Sequence, residues 1–315
     1  MKGNNPFIPW GENPLEIISR KEELTYFRSF VQAIEEGVGA ILSIYGGIGV
    51  GKTIMLKRFE LEANQRGVRS IYIKCQKNDT IKEIERNIVR QYGKNIPFDQ
   101  LIGETKLIIL LDDFEKIHKY EENAKEFAQT IVNSKIGIIL STVKKIELPN
   151  AKELEIKPFE EHEAREFVSK SMQKEQVKMG DEFIGLVFSD CGGNPKAMKL
   201  VCWHAFETIK ETDKVITKGH YLVYLPALMN LLSKEWFGQI YSKIPNAEVK
   251  ILNELAKSDK GAHVSDIASR LGRPIGQITV LIGRLLERGQ IIKIERGKYS
   301  IFCKLYSKYI IDQNQ

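Results

Sequence analysis

The 315-residue chain has only four cysteines, Cys75, Cys191, Cys202 and Cys303, and these are scattered without the spacing of metal ligands. It has no apolar run of the roughly 18 residues that a transmembrane helix needs, and residues 1–6 lack the apolar core of a secretory signal. These absences argue against a disulfide-stapled secreted protein, a cysteine-based zinc site and a membrane protein. We therefore expect a cytoplasmic protein whose thiols are free and buried.

The rest of the composition describes an ordinary globular chain with one basic end. Hydrophobic residues make up 43% and charged residues 28% of the sequence, and 315 residues are enough for two or three folding units. The net charge of +6 is unevenly spread, because residues 246–315 hold 12 Lys and Arg against 7 Asp and Glu. This basic C-terminal region favours an acidic partner at that end of the chain.

A glycine-rich turn separates an apolar segment, residues 40–45, from a predicted helix that begins near Lys52. The turn fits the pattern G-x-x-x-x-G-K-[ST], in which glycines let backbone N–H groups converge on phosphate oxygens. The helix N-terminus adds the positive end of its dipole. Lys52 supplies a cation for the β- and γ-phosphates, and the Thr53 hydroxyl can complete the coordination shell of Mg²⁺. The predicted phosphate-binding residues are Gly46, Gly47, Ile48, Gly49, Val50, Gly51, Lys52, Thr53 and Ile54.

A second apolar run, residues 106–111, ends in the acids Asp112 and Asp113. A continuous apolar run is typical of a strand that is covered on both faces of a sheet. Taken alone, such a strand could simply lead into a solvated turn. Because it follows a phosphate-binding loop, we predict that Asp112 holds Mg²⁺ and that Asp113 orients or deprotonates the attacking water. Lys52, Asp112 and Asp113 are thus the predicted catalytic residues.

Strands and helices alternate through the first half of the chain. The predicted strands lie at residues 40–45, 70–75, 106–111, 135–142 and 153–156. This order predicts an α/β fold of the P-loop NTPase type, with a parallel sheet and helices on both of its faces. Ligands of such sheets bind at the carboxyl ends of the strands. The phosphate loop, the two acids and the hydroxyls of Ser141 and Thr142 all stand at such ends.

The chain is predicted to contain three domains: a core at residues 1–157, a helical lid and connector at 158–240, and a winged helix-turn-helix at 241–315. The winged helix-turn-helix is indicated by two helices, a turn, a third helix and a hairpin in succession, with Arg296 and Gly297 at the turn of the hairpin. The side chains on or near the third helix and the hairpin are suited to contact DNA. They are Arg273, Gln277, Arg284, Arg288, Lys293, Arg296 and Lys298.

Four stretches, in their order along the chain, resemble the archaeal ATPase group, close to the STAND and Orc/Cdc6 branches of the AAA+-like P-loop ATPases. They are residues 17–24, the phosphate loop, residues 110–113 and residues 192–197. The resemblance covers residue 1 to about residue 210, and a winged helix follows in many relatives. It implies that the chain binds ATP (or ADP) together with Mg²⁺, whereas the sequence shows no Asn-Lys-x-Asp pattern for guanine.

The same resemblance implies roles for residues outside the phosphate loop. They are Ile17 and Ile18 against adenine, Gly193 and Pro195 near the base, and Ser141 or Thr142 as the sensor of the γ-phosphate. The position that is often a catalytic Glu in these relatives is Asp113, whose side chain is one methylene shorter. The resemblance therefore implies an ATPase that hydrolyses slowly.

Three functions fit these observations. The first is an ATP-controlled switch whose basic winged helix binds double-stranded DNA. The second is a STAND-type signalling or assembly ATPase whose winged helix contacts protein, with nucleotide-dependent self-association. The third, a continuously cycling motor, is disfavoured because the sequence shows no evident arginine finger and no pore-loop insertion. The charge of residues 246–315 favours DNA over protein as the partner.

Overall fold

The computed structural model describes residues 3–9, 20–93, 96–131 and 134–314. Contacts along the chain divide it into two compact units. The sheet unit comprises Glu12–Gly46 and Gly51–Lys157, and the helical unit comprises Met1–Gly11, Gly47–Val50 and Pro158–Gln315. Within the described ranges, no helix combines the length and the apolar character needed to cross a membrane.

A five-stranded sheet of parallel strands forms the centre of the sheet unit. The strands are β1 (Ala40–Tyr45), β2 (Arg69–Lys74), β3 (Leu107–Asp112), β4 (Gly137–Thr142) and β5 (Lys152–Glu155), and their order across the sheet is β2-β3-β4-β1-β5. The apolar run Leu107–Leu111 is completely buried in β3, as a strand covered on both faces requires. The predicted α/β parallel sheet is confirmed.

Helices precede β1 and connect the strands from β1 to β4. They are α1 (Lys21–Glu35), α2 (Lys52–Gln65), α3 (Ile81–Tyr92), α4 (Phe98–Glu104) and α5 (Tyr120–Ile131). Between α1 and α2, the rings of Phe27 and Phe59 stack with their centroids 4.0 Å apart. Alternate residues of β3, Ile109 and Leu111, belong to a separate apolar cluster with residues of α3, α4 and α5. Successive strand residues point to opposite faces, so the sheet has helices on both sides.

The helical unit begins with a set of helices and one short strand pair. Its elements are α6 (Glu161–Ser171), β6 (Lys178–Met179), α7 (Asp181–Cys191), α8 (Pro195–Thr208), β7 (Val215–Ile216) and α9 (Lys218–Leu232). The sequence predicts one helix over residues 222–244. The structure instead starts α9 four residues earlier and follows it with a π-helical turn, Ser233–Phe237, and the short α10 (Gly238–Tyr241).

The C-terminal region of this unit contains α11 (Asn246–Ala256), β8 (Ala262–His263), α12 (Val264–Leu271), α13 (Ile275–Glu287), β9 (Ile291–Glu295), β10 (Lys298–Ile301) and α14 (Lys304–Asp312). Strands β9 and β10 form the predicted antiparallel hairpin, and β8 pairs with the other edge of β10. Gly297 has φ +74° in the hairpin turn, a conformation that glycine adopts without strain. The final helix α14 was not predicted, and it buries Tyr306 completely.

Candidate functional site

The phosphate loop joins β1 to α2, and its glycines have the backbone conformations that the sequence pattern predicts. Gly49 has φ +74° and Gly51 has φ +104°, which side chains with a Cβ rarely adopt. Gly51 directly precedes Lys52, the first residue of the 14-residue helix α2. The N-terminus of that helix therefore lies at the end of the loop, where its N–H groups stabilise an anion.

Lys52 is buried, with 8% of its surface exposed, and its Nζ donates a hydrogen bond of 2.7 Å to the carbonyl oxygen of Gly46. Burial lowers the pKa of the Lys52 ammonium group, and the carboxylates of Glu115, Asp113 and Asp112 oppose that shift. A phosphate group that enters the loop could bind this buried ammonium group and replace the nearby acids as its charge partner.

Asp112 is completely buried at the carboxyl end of β3 and accepts three hydrogen bonds from hydroxyl groups. Thr53 Oγ1 and Tyr72 Oη each donate to its Oδ2 over 2.8 Å, and Ser141 Oγ donates to its Oδ1 over 2.6 Å. The structure thus brings together the predicted residues Thr53, Asp112 and Ser141. Tyr72, which the sequence did not single out, is the third donor to Asp112.

The two hydroxyls at the end of β4 differ in their partners. Ser141 donates to Asp112 and also accepts a 3.3 Å hydrogen bond from the backbone N–H of Asp113. Thr142 Oγ1 donates instead to the carbonyl oxygen of Lys144 over 2.7 Å. Ser141 therefore links the two predicted acids, whereas the Thr142 hydroxyl is engaged by its own loop.

The acids after β3 lie in different surroundings. Asp113 has a left-handed backbone, with φ +54°, and its Oδ2 lies 2.6 Å from Lys116 Nζ and 4.0 Å from Lys74 Nζ. Glu115, on the following 3₁₀ turn, has a buried Oε2 for which the described residues provide no hydrogen-bond partner. Burial raises the pKa of Glu115, while its own backbone N–H and the charge of Lys52 oppose that rise. Glu115 is also absent from the predicted site.

The segment 193–196 contacts the tip of the phosphate loop, which belongs to the same helical unit. The side chain of Asn194 caps α8 and also donates to the carbonyl oxygen of Ile48 over 2.8 Å. The N–H of Lys196 donates to the carbonyl oxygen of Gly49 over 3.1 Å. Pro195, a predicted nucleotide contact, is the first residue of α8 between these two. The predicted adenine contacts Ile17 and Ile18 lie outside the described residues.

Oxygen ligands for a magnesium ion are present beside the loop. Mg²⁺ binds oxygen and usually takes one or two protein groups together with substrate phosphates. The Thr53 hydroxyl and the Asp112 carboxylate, 2.8 Å apart, fit that requirement. Within the described ranges, no group of three or more His, Cys, Asp and Glu side chains could hold a metal.

The predicted DNA contacts lie on and around α13 and the hairpin. Gln277, Arg284, Lys293 and Arg296 are exposed. Two others take part in ion pairs: Arg288 Nε lies 3.1 Å from the buried Glu248, and Lys298 Nζ lies 3.4 Å from Glu295. The remaining residue, Arg273, is half-buried just before α13. Exposed apolar side chains lie on the same elements: Ile275, Val280, Ile292 and Ile294.

Comparison with known proteins agrees with this architecture. Residues 36–147 match the family described as AAA domain. No curated protein matches the chain. Among solved structures, the chain is similar to the Walker-type ATPase PABY2304 of Pyrococcus abyssi, with 16% identity, a TM-score of 0.65, and 93% of this chain and 96% of that one covered.

Two further structures are similar over nearly the whole chain. The Aeropyrum pernix Orc1 protein in complex with DNA has 15% identity and a TM-score of 0.55, over 98% of this chain and 96% of that one. Cdc6p from Pyrobaculum aerophilum has 11% identity and a TM-score of 0.56, over 100% and 99%. At these identities the similarity establishes a shared fold. With the loop and sheet described above, the family match supports an AAA domain with a P-loop fold over residues 36–147.

Proposed function

We propose that the protein binds ATP with Mg²⁺, hydrolyses it slowly to ADP and phosphate, and uses the bound nucleotide to control binding of double-stranded DNA. The observation that carries the nucleotide proposal is the pairing of Thr53 with Asp112 beside the buried Lys52. A cation, a hydroxyl and a carboxylate at the N-terminus of α2 match the charges of a magnesium triphosphate.

Each of these side chains has a separate task in the proposed reaction. Lys52 exchanges its hydrogen bond to Gly46 for phosphate oxygens and neutralises their charge. Thr53 and Asp112 would hold Mg²⁺, which when bound spreads the negative charge that develops on the phosphates. Ser141, which joins Asp112 to the backbone of Asp113, keeps the two acids in a fixed relation. Asp113 is the sequence-based candidate for orienting the attacking water, and its short side chain is consistent with slow turnover.

The proposal of DNA binding rests on residues 241–315, for which we propose a winged helix-turn-helix. Three helices and the β9–β10 hairpin follow each other there, as that domain requires. Gln277 and Arg284 on α13 would face the major groove, while Lys293 and Arg296 on the hairpin would contact the phosphate backbone. The Orc1 structure similar to this chain is described as a complex with DNA, which supports the same partner.

A second function is favoured by a specific observation. Ile275 and Val280 are 56% and 58% exposed on α13, the helix that would enter DNA. Exposed apolar side chains on one helix are typical of protein contacts. The alternative is therefore a STAND-type signalling or assembly ATPase whose winged helix binds protein and which associates with itself when nucleotide is bound.

A mobility-shift experiment with random-sequence duplex DNA, in ATP, ADP and no nucleotide, tests the first function. We expect the protein to shift the duplex, with an affinity for DNA that differs between ATP, ADP and no nucleotide. Binding to no duplex under any of the three conditions would overturn the proposal of DNA binding. Size-exclusion chromatography with and without a non-hydrolysable ATP analogue tests the alternative, because a nucleotide-driven assembly that forms without DNA favours the protein-contact function.

A further inference from the structure

Gly49 stands at a position that the pattern G-x-x-x-x-G-K-[ST] leaves open, and its surroundings explain why it is glycine. A Cβ added there would lie 2.9 Å from Cη2 and 3.0 Å from Cζ2 of Trp236, and 2.8 Å from Oδ1 of Asn194. The φ of +74° at Gly49 also disfavours a side chain. The indole ring of Trp236 therefore packs directly on the phosphate loop. Residues 47–50 of the loop and Trp236 both belong to the helical unit.

Two hydrogen bonds from the start of α8 set the direction of the loop peptides at this contact. Asn194 Nδ2 donates to the carbonyl oxygen of Ile48 over 2.8 Å, and the backbone N–H of Lys196 donates to that of Gly49 over 3.1 Å. A trans peptide has its C=O and N–H on opposite sides, so the N–H groups of Gly49 and Val50 point away from α8. Phosphate oxygens bind N–H groups of such a loop. A phosphate bound there would polarise the same peptides and strengthen their carbonyl hydrogen bonds to α8.

Trp236 is held in the position that touches the loop. It lies in the π-helical turn Ser233–Phe237, and its side chain is buried. The ammonium group of Lys196 lies over the indole ring, 4.7 Å from the ring centroid, which is within cation–π range. Lys196 thus contacts the loop through its backbone and Trp236 through its side chain. Short π-helical turns inside helices are frequent at functional sites.

Trp236 also contacts the C-terminal region. Its ring centroid lies 5.5 Å from that of Phe302, and Phe302 directly follows β10, the hairpin strand that pairs with β9. Phe302 stacks in turn on Tyr306 of α14, with the ring centroids 5.0 Å apart. These distances are those of packed aromatic pairs. A single side chain, Trp236, therefore contacts both the phosphate loop and the end of the hairpin.

We propose that Trp236 transmits nucleotide binding from the phosphate loop to the β9–β10 hairpin, with Phe302 as the next contact. This inference rests on the proposed nucleotide binding, and it names the residue through which nucleotide would control the C-terminal region. Phosphates that fix the peptides of residues 47–50 hold Trp236 more firmly against Gly49, so the strand end at Phe302 opens less often. Chains of packed side chains carry coupling of this kind.

The test measures amide hydrogen exchange of residues 291–301 with and without a non-hydrolysable ATP analogue and Mg²⁺. Trp236→Phe removes the indole atoms nearest Gly49 but keeps a ring beside Phe302. Phe302→Leu keeps the loop contact and removes the ring next to Trp236. Trp203→Phe is the matched control, because it makes the same replacement on α8, against the core of the same unit.

In the parent, the analogue should slow exchange of the hairpin amides by at least about fivefold, the lower end of usual coupling factors. In Trp236→Phe and in Phe302→Leu the change should fall below about twofold at saturating analogue, and Trp203→Phe should respond as the parent does. A binding titration of each variant establishes the saturating concentration, so a lost response is not lost occupancy. Because coupling is reciprocal, the same two variants should also lose any effect of the analogue on affinity for duplex DNA.

The other outcomes separate this inference from the proposed function. If the parent does not bind the analogue, the proposed nucleotide binding is wrong and the inference fails with it. If the parent binds it but the hairpin does not respond, or if the response survives in either variant, the inference alone is wrong. A response that is also lost in Trp203→Phe reflects general loosening of the helical unit and contradicts a route through Trp236. Thermal unfolding checks folding, and Phe302→Leu decides the question if Trp236→Phe does not fold.

Discussion

The hydroxyl of Thr53 lies 2.8 Å from a carboxylate oxygen of Asp112, although 59 residues separate the two in the sequence. Thr53 is at the start of α2 and Asp112 is at the end of β3, so the contact depends on the parallel order of the sheet. The pair is the feature of the structure on which the nucleotide proposal depends. It joins the two halves of the predicted site at hydrogen-bond distance, and its two oxygens are the groups that would hold a metal ion.

Replacing Lys52 with alanine should abolish stabilisation by nucleotide. In the parent, ATP at about 100 times its dissociation constant should add about 2.7 kcal/mol to the free energy of unfolding. Lys52→Ala removes the buried cation beside the loop, so the phosphates lose their charged partner. Thermal unfolding with and without Mg-ATP measures the effect.

The control for this experiment is Lys82→Ala, which removes an exposed lysine on α3. It should keep the full nucleotide-dependent shift. If Lys52→Ala shows the same shift as the parent, the nucleotide does not bind at residues 46–53.

Tyr72→Phe should weaken the response to magnesium more than it weakens the fold. The variant removes one of three hydroxyl donors to Asp112, which costs about 1.5 kcal/mol of stability for a hydrogen bond to a charged acceptor. Mutation of a group that orients a metal ligand typically lowers metal affinity or activity 10–100-fold. We expect the magnesium concentration for half-maximal ATP hydrolysis to rise by about tenfold, measured in a titration at saturating ATP. An unchanged titration curve with reduced thermal stability would show that Tyr72 only packs.

Much of the sheet unit could be predicted from the sequence because its signals are local. The apolar run of residues 106–111 predicts a buried strand, and the glycine pattern of residues 46–53 predicts a phosphate-binding loop. The parallel order then follows from the alternation of strands and helices. Thr53, Asp112 and Ser141 could therefore be predicted to lie at one edge of the sheet, which the structure confirms.

The missed residues depend on contacts between distant segments of the chain. Tyr72 reaches Asp112 because β2 is paired with β3, with Lys74 opposite Asp112 in the register, and nothing in the composition of β2 shows this. The buried Glu115 Oε2, for which the described residues provide no hydrogen-bond partner, also depends on how its turn packs in the fold. Helix α14 was missed because it follows β10 closely and no capping side chain at Cys303 marks its start.

DNA affinity should depend strongly on salt if the C-terminal region binds the duplex backbone. Neutralising about five phosphates gives a slope near −4.5 for log affinity against log salt concentration. Lys293→Ala, on an exposed position of the hairpin, should reduce the magnitude of that slope by about 1 and weaken binding to all sequences equally. Fluorescence anisotropy at several salt concentrations measures the affinity and its salt slope for the parent and the variant. A slope near zero in the parent would contradict binding to the DNA backbone.

Arg288→Ala should affect the fold rather than DNA binding. Its guanidinium lies 3.1 Å from Glu248, whose side chain is 1% exposed, so the variant leaves a buried carboxylate without its cation. We expect a loss of about 2 kcal/mol in stability, below the cost for a fully buried pair because Arg288 is 42% exposed. Arg284→Ala, one turn earlier and exposed, should cost at most about 0.5 kcal/mol but weaken DNA binding.

The assignment of this loss to the ion pair is tested by removing both charges. The double variant Glu248→Leu with Arg288→Met leaves no buried charge, and apolar replacement of such a pair is often neutral or stabilising. Thermal unfolding should therefore show the double variant to be more stable than Arg288→Ala alone, while its salt slope for DNA stays at the parent value. If the double variant is as unstable as Arg288→Ala, the loss comes from packing of the arginine stem. If Arg288→Ala instead lowers the salt slope, Arg288 contacts phosphate, as its sequence position first predicts.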